Sequence, residues 1–481
     1  MLLDGHNLSP ADVVGLAAGA ARPEIDPAAL DRMARSCRLA GELVATGRVY
    51  GRSTGVGANR TVDVAADDER AHGLRLLRSH AGAIGEPLPG REVRAMLAVR
   101  TNQLLAGGAG LRAAVVQALA EALGSGAYPV VHEYGSVGTG DLGALAQTGL
   151  ALAGEGRWEG GTPPGRLDLD SNDALALISS NALTIGQACL ALEELRGLMA
   201  AAQVVAALSL LAVDGSLEPY AEPVHVARPH PGAVSCAARM RRLLGAPARP
   251  PRPTGSRIQD PYGFRCLPQI HGPALEAADA LERVLLVELN AAAENPLISV
   301  EDQAAYHHGN FFAADIGFAL DHFRLALLST ARLSTARLAA LAEPGLTGLR
   351  PFLAEGASAS SGMMILEYAA GAAFGELRAL AGPASLGHTV LSRGVEELAS
   401  FASLAARQTL RCAERYRLVL GCELVAAVRA LRQHGLTPDP GLPIGRAFAL
   451  AAEVLDPDCA DRPLTGDVAA AARVLDLFAE L

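Results

Sequence analysis

Long runs of alanine and leucine, with comparatively few β-branched residues and 4 % aromatics, restrict most of this 481-residue chain to helix. Apolar positions at helical spacing predict helices over about 27–45, 68–81, 89–107, 109–124 and 142–153. Longer ones follow over 172–213, with a break near Ser179–Ser180, and over 272–292, 309–341, 358–380 and 390–430. Pro27 suits a first helical turn and Gly47 a stop. The reading is a mainly α protein around a central bundle of long helices. Its expected divisions are an N-terminal domain (1–170), the bundle (171–430) and a C-terminal helical segment (431–481). Residues 154–170 read as a surface excursion. The proline- and arginine-rich stretch 244–256 reads as a loop that serves as a subunit-contact arm.

Composition narrows the partners. A net charge of −10 spread along the chain offers no basic platform for nucleic acid. Leu198–Val213 is apolar but short and interrupted by Gln203 and Ser209, so a buried bundle helix is expected rather than a membrane span. Seven scattered cysteines form no Cys-x-x-Cys pair, so no metal site is expected, and a reduced, cytoplasmic protein is. The N-terminus lacks the pattern of a signal peptide.

Three polar clusters stand apart from the helices: Tyr50 in a glycine-rich loop, Gln259 to Arg265, and Glu396-Glu397. An arginine fork suits a carboxylate, and a tyrosine becomes a base only where its surroundings lower its pKa. Taken alone, each cluster also reads as structure: a packed tyrosine, a surface ion pair, a solvated helix face. A fourth feature is Gly135-Ser-Val-Gly-Thr-Gly140, followed by Asp141-Leu142. It lacks the endings of a Walker loop and the spacing of a Rossmann turn, so phosphate binding is not expected.

The chain resembles the aromatic amino acid ammonia-lyase and aminomutase family, with histidine ammonia-lyase as prototype. The resemblance runs to about residue 401. It is carried by Tyr50-Gly-Arg-Ser-Thr-Gly-Val-Gly57, Leu77-Arg-Ser-His80, Arg100-Thr-Asn102, Gly135-Ser-Val-Gly138 and Gly140-Asp-Leu142. Gln259-Asp-Pro-Tyr262, Arg265-Cys266, Pro268-Gln-Ile-His-Gly272, Glu294-Asn-Pro296, Gly309-Asn-Phe311 and Ser361-Gly-Met-Met364 continue it in family order. The resemblance implies the histidine/phenylalanine ammonia-lyase fold and a homotetramer whose sites mix residues from several subunits. It implies Tyr50 as the base that takes a β-proton and Arg265 as the carboxylate clamp. Tyr262 and Gln259 then line electrophile and substrate, and Phe311 stands beside the cofactor. His80, Met364 and Glu396 form the side-chain pocket, a combination closer to histidine-directed than to phenylalanine-directed members.

Two departures touch the chemistry. Family members cyclise Ala-Ser-Gly into methylidene-imidazolone, an electrophile that captures the substrate amine. Here the loop is one residue shorter and offers Gly138-Thr139-Gly140. Ring closure would need the Gly140 nitrogen on the Gly138 carbonyl, and water loss from Thr139 would leave an ethylidene, whose methyl shields the reacting carbon. Ser179 stands where an asparagine is expected near the amine, and Asn172-Asp173 replaces an upstream Lys-Glu pair. The expectation is an ammonia-lyase-like enzyme that abstracts a β-proton and breaks a C–N bond of a histidine-like or aromatic α-amino acid. No external cofactor is expected, and an uncyclised loop is expected over a ring built from 138–140. The alternatives are elimination, addition or isomerisation of a related carboxylate without the electrophile, and a non-catalytic binding homologue.

Overall fold

The structure, a computed structural model, describes residues 1–65, 68–250, 255 and 257–481. It is mainly α-helical, with five long helices at Ala182–Ala212, Leu267–Leu289, Ala314–Leu341, Ala402–Gln433 and Pro27–Thr46. Residues 251–254 and 256 of the proline-rich stretch expected as a contact arm lie outside the described residues.

Two compact units interleave along the sequence. Unit 1 comprises Met1–Glu193, Leu281–Asp321 and Pro383–Leu410; unit 2 comprises Glu194–Ala280, His322–Gly382 and Arg411–Leu481. Four of the five boundaries between them fall inside long helices, and the fifth, at Gly382–Pro383, lies outside one.

Local chemistry explains where the helices of unit 1 begin and end. The Asp26 carboxylate accepts from Ala28 N at 3.1 Å ahead of Pro27, and Gly47 closes the helix. Helices Glu69–His80, Leu142–Leu152 and Ser171–Ile178 pack on one another, while Gly90–Leu105 packs on Pro10–Ala18 and Ala113–Ser125 and is largely buried from Val93 on. Its Arg100 is buried and donates through Nε to Leu177 O (3.0 Å), through a second nitrogen to Ala176 O, and through a third to Glu294 Oε1 (2.8 Å). It thus satisfies carbonyls that helix Ser171–Ile178 leaves open at its C-terminus. The break expected near Ser179–Ser180 is present, and the long helix restarts at Ala182. Within Ser171–Ala212 the most apolar window is long and apolar enough to cross a membrane, but 78 % of it is buried inside the protein.

One predicted helix starts in the wrong place. The stretch expected over 390–430 is helical only from Ala402; residues 391–396 form a tight bridged turn, and Phe401 has φ +54°. Apolar spacing carries on through Leu398 and Ala399, but the backbone of Phe401 bonds elsewhere, donating to Val137 O at 2.8 Å.

Unit 2 is centred on a buried ion pair. Arg337 Nε donates to Glu423 Oε1 (2.6 Å) and Arg337 Nη2 to Oε2 (2.9 Å), with both side chains fully excluded from solvent. Ser209 and Ser334 donate to the same carboxylate at 2.7 and 2.6 Å, so its lone pairs are well used. Removing one partner strands the other charge. Glu423→Ala is expected to cost about 3–5 kcal/mol in urea unfolding, the usual range for a broken buried pair; a loss under about 1 kcal/mol would show that the pair is not buried in solution.

Candidate active site

Unit 1 carries Tyr50, His80, the 138–140 loop, Ser179, Phe311 and Glu396; unit 2 carries Gln259, Tyr262, Arg265 and Met364.

The glycine loop of unit 1 is held by three segments remote in sequence. The carbonyl of Gly138 accepts from Ser400 Oγ (2.8 Å) and Ala313 N (3.2 Å). Phe401 N bonds Val137 O, and Ser403 Oγ donates to Ser136 O at 2.9 Å. On the other side, Gly140 N donates to Asn181 Oδ1 (3.0 Å), whose amide nitrogen donates to Phe311 O (2.7 Å). Gly138 and Gly140 have φ of +88° and +112°, and a Cβ at 138 would lie 2.1 Å from Ser400 Oγ, so only glycine fits there. Asp141 is buried and turns its carboxylate away from its own helix to accept from Thr184 N (2.7 Å) and Thr184 Oγ1 (2.9 Å). It thereby caps the start of helix Ala182–Ala212. Burial pushes its pKa up, against the bonds from Thr184.

Methylidene-imidazolone would require the Gly140 nitrogen to close on the Gly138 carbonyl carbon, followed by dehydration of a serine. Here that N–H is committed to Asn181, the middle residue is Thr139, and residue 138 accepts no side chain. These residues do not match the Ala-Ser-Gly set that forms the group.

Tyr50 opens a turn that is mostly buried just behind it, at Gly51, Arg52 and Thr54. Its phenolic oxygen accepts from Gly57 N at 2.8 Å. Burial raises its pKa, Gly57 opposes this, and the nearby charge of Glu396 raises it further. In the free protein Tyr50 is therefore a protonated phenol, and it becomes a base only when a cation comes close. Glu396 ends the bridged turn that begins at Leu391, and Ser392 of that turn accepts from Ala58 N at 2.9 Å. Tyr50 loop and Glu396 turn are thus tied together. His80 has Nδ1 2.9 Å from Leu76 O, a carbonyl that only accepts. Nδ1 also lies 3.0 Å from Ser79 Oγ, and the tautomer that donates from Nδ1 to the carbonyl is the one that leaves a lone pair on Nε2.

Ser179, at the position of the expected asparagine, accepts from Asn295 N through Oγ at 3.1 Å. The amide that reaches the loop is Asn181, two residues later. Sequence matching missed it because the string Leu175-Ala-Leu-Ile-Ser-Ser ends one residue short of it. Ser400 and His307 were also missed: the first lay inside an expected helix, the second just outside the Gly309-Asn-Phe311 string.

In unit 2, Tyr262 to Arg265 form one short helical turn. Arg265 lays its guanidinium 4.5 Å from the centroid of the Tyr262 ring, and its buried Nε bonds nothing among the described residues. The turn is held from behind. Arg337 Nη1 donates to Gly263 O (3.1 Å) and Tyr220 OH to Phe264 O (2.7 Å). The Asp260 carboxylate pairs with Arg257 and accepts from Ser216 N at 2.6 Å. Tyr262 is 66 % exposed, and Gln259 is exposed too. Met364 follows a turn whose Ser361 and Gly362 N–H groups donate to Asp461 at 2.9 and 2.8 Å; those two bonds hold the Asp461 pKa down.

The comparisons agree with this architecture. The aromatic amino acid lyase profile matches residues 8–453, and the chain belongs to that family. It is similar to a histidine ammonia-lyase of Caldanaerobacter subterraneus, with 32 % identity over 97 % of this chain and 95 % of that protein. Among solved structures it is similar to the ergothioneine-degrading enzyme ergothionase of Treponema denticola, solved with desmethyl-ergothioneine sulfonic acid (TM-score 0.92, 26 % identity, 99 % of each chain). It is also similar to histidine ammonia-lyase of Trypanosoma cruzi (TM-score 0.90, 27 % identity, 98 % of this chain and 92 % of that one). The family supports an enzyme acting on amino-acid-like substrates.

Tyr220 OH bonds the Phe264 carbonyl beside Arg265; with Arg265 as the expected carboxylate partner, Tyr220→Phe is expected to raise KM for a carboxylate substrate several-fold, with kcat within about twofold. Steady-state kinetics check this; an unchanged KM would remove Tyr220 from the support of Arg265.

Proposed function

We propose that the protein is a carbon–nitrogen lyase that removes a quaternised α-nitrogen from a histidine-like betaine without an electrophile made from its loop. The observation that carries this is the pairing of a Gly138-Thr139-Gly140 loop with Tyr50, His80, Arg265 and Glu396, all at the family's positions. The family's electrophile captures an amine through its lone pair. A trimethylated nitrogen has no lone pair to offer, so a lyase for such a substrate has no use for the group. The nitrogen also keeps its charge at every pH and cannot be neutralised by the base that must take the β-proton.

The residues then divide the work. Arg265 takes the carboxylate with its two-pronged donor set. Glu396 accepts an imidazole N–H, and the Nε2 lone pair of His80 supplies a second acceptor. The substrate's fixed positive charge lowers the pKa of Tyr50 on binding, offsetting burial and Glu396. The phenolate takes the β-proton, the C–H electrons become the Cα=Cβ bond, and the C–N bond breaks. A neutral tertiary amine and an α,β-unsaturated acid leave; the phenolic proton went to solvent when the substrate bound, and the β-proton restores Tyr50 to the phenol of the free protein.

Likeness to an ergothioneine-degrading enzyme supports the betaine, because ergothioneine is a trimethylated histidine derivative. Likeness to histidine ammonia-lyases supports the imidazole ring. The exposure of Tyr262 supports a homotetramer with sites completed by neighbouring subunits. A second reading, release of ammonia from histidine through a ring built on Thr139, is favoured by two contacts: Ser400 and Ala313 both donate to the Gly138 carbonyl that such a closure would attack.

The test follows the conjugated acid by ultraviolet absorbance, with ergothioneine, the trimethylbetaine of histidine, and histidine as substrates. At least one betaine is expected to react with release of trimethylamine, and histidine roughly 100-fold or more slower. Tyr50→Phe is expected to lower the betaine rate by roughly 100-fold or more, the usual scale for removing a general base. Histidine turnover equal to that of the betaines would contradict the proposal.

A further inference from the structure

Tyr50 is held by its backbone as well as by its side chain. Tyr50 N donates to His307 Nε2 at 3.2 Å, and the two rings meet edge to face with centroids 6.5 Å apart. Accepting this bond requires a lone pair on Nε2. His307 follows the strand Ala304–Tyr306, which pairs with Leu297–Ser299, and that hairpin packs on helix Pro27–Thr46. The same helix leads into Tyr50, so His307 and Tyr50 extend from one common base.

Two residues beyond Tyr50, the chain turns inward. Arg52 is buried, and its guanidinium donates to Gly110 O (3.2 Å), Asn172 Oδ1 (2.9 Å) and Ala109 O. Burial lowers its pKa to about 10, which leaves it charged at neutral pH. Between the two anchors Gly51 has φ +67°, and a Cβ there would come within 2.5 Å of Leu175 Cδ2. The loop therefore lies directly against helix Ser171–Ile178, with a cation buried beneath it.

We propose that His307 is a positioning residue for Tyr50. Its Nε2 lone pair holds the Tyr50 N–H while Arg52 fixes the following backbone, so the phenol works from an anchored loop. This rests on Tyr50 being the base. Asn172 belongs to the same device: it stands where a lysine is expected and accepts from the cation that the loop supplies at position 52.

The decisive property of His307 is its acceptor, which a glutamine oxygen can replace and an alanine cannot. His307→Ala, His307→Gln and Tyr50→Phe are compared in the full-length protein, by steady-state kinetics with a betaine and by hydrogen exchange of the Tyr50–Val64 segment without substrate. His307→Ala is expected to lower kcat about tenfold, the scale of one lost hydrogen bond, with KM within about threefold. It is also expected to speed exchange of the Tyr50 amide, and His307→Gln to restore both. His307 is exposed, so melting temperatures should stay near wild type. An alanine variant indistinguishable from wild type would overturn the inference, as would alanine and glutamine variants that fall equally. Full activity in Tyr50→Phe would refute the base assignment instead, and the exchange data would still judge the His307 contact.

Discussion

The backbone of Gly138 is the point on which the site depends. Its carbonyl is bonded by Ser400 and Ala313, and the space where a side chain would stand is filled by Ser400 Oγ. Residues more than 250 positions apart are thereby fixed to one another, and the turn carrying Glu396 leads directly into that crossing. The Asn181 amide closes the other side by joining Gly140 to the backbone of Phe311.

The remaining polar residues of each unit are organised around buried arginines. In unit 1, Arg100 closes the helix before Ser179 and Arg52 ties the Tyr50 loop to Ala109 and Gly110. In unit 2, Arg337 is balanced by Glu423 and supports the turn that bears Arg265. Each of these cations bonds backbone carbonyls, so each converts a desolvated charge into a fixed loop position. The chemistry proposed for Tyr50 follows from the same electrostatics. In that proposal a half-buried phenol near a carboxylate stays protonated until a positive substrate arrives, which couples proton abstraction to binding.

Apolar spacing made the helices legible because one face of each must be buried, and the ends at Gly47 and near Ser179 followed from local stop signals. It failed at 390–401, where backbone groups bond the 136–138 loop in place of a helical ladder. That partnership spans more than 250 residues, and no local pattern reports it. The family strings led to Tyr50 and Arg265, since each belongs to a run of matching residues, whereas Glu396 came only as a single matching pocket position. They could not lead to Asn181, which does by a two-residue displacement what the expected asparagine would do, while Ser179 holds Asn295. His307 was hidden for another reason: a lone histidine carries no sign of the backbone N–H it accepts from.

The central claim is that this loop stays an ordinary peptide and that elimination proceeds without a loop-derived electrophile. The most direct measurement is the mass of the proteolytic peptide spanning Gly135–Leu142, taken from the purified full-length protein after denaturation. The account predicts the mass of the unmodified sequence in protein that turns over a betaine. A deficit of two waters confined to Gly138–Gly140 would contradict it and would place a ring derived from Thr139 at the centre of the mechanism.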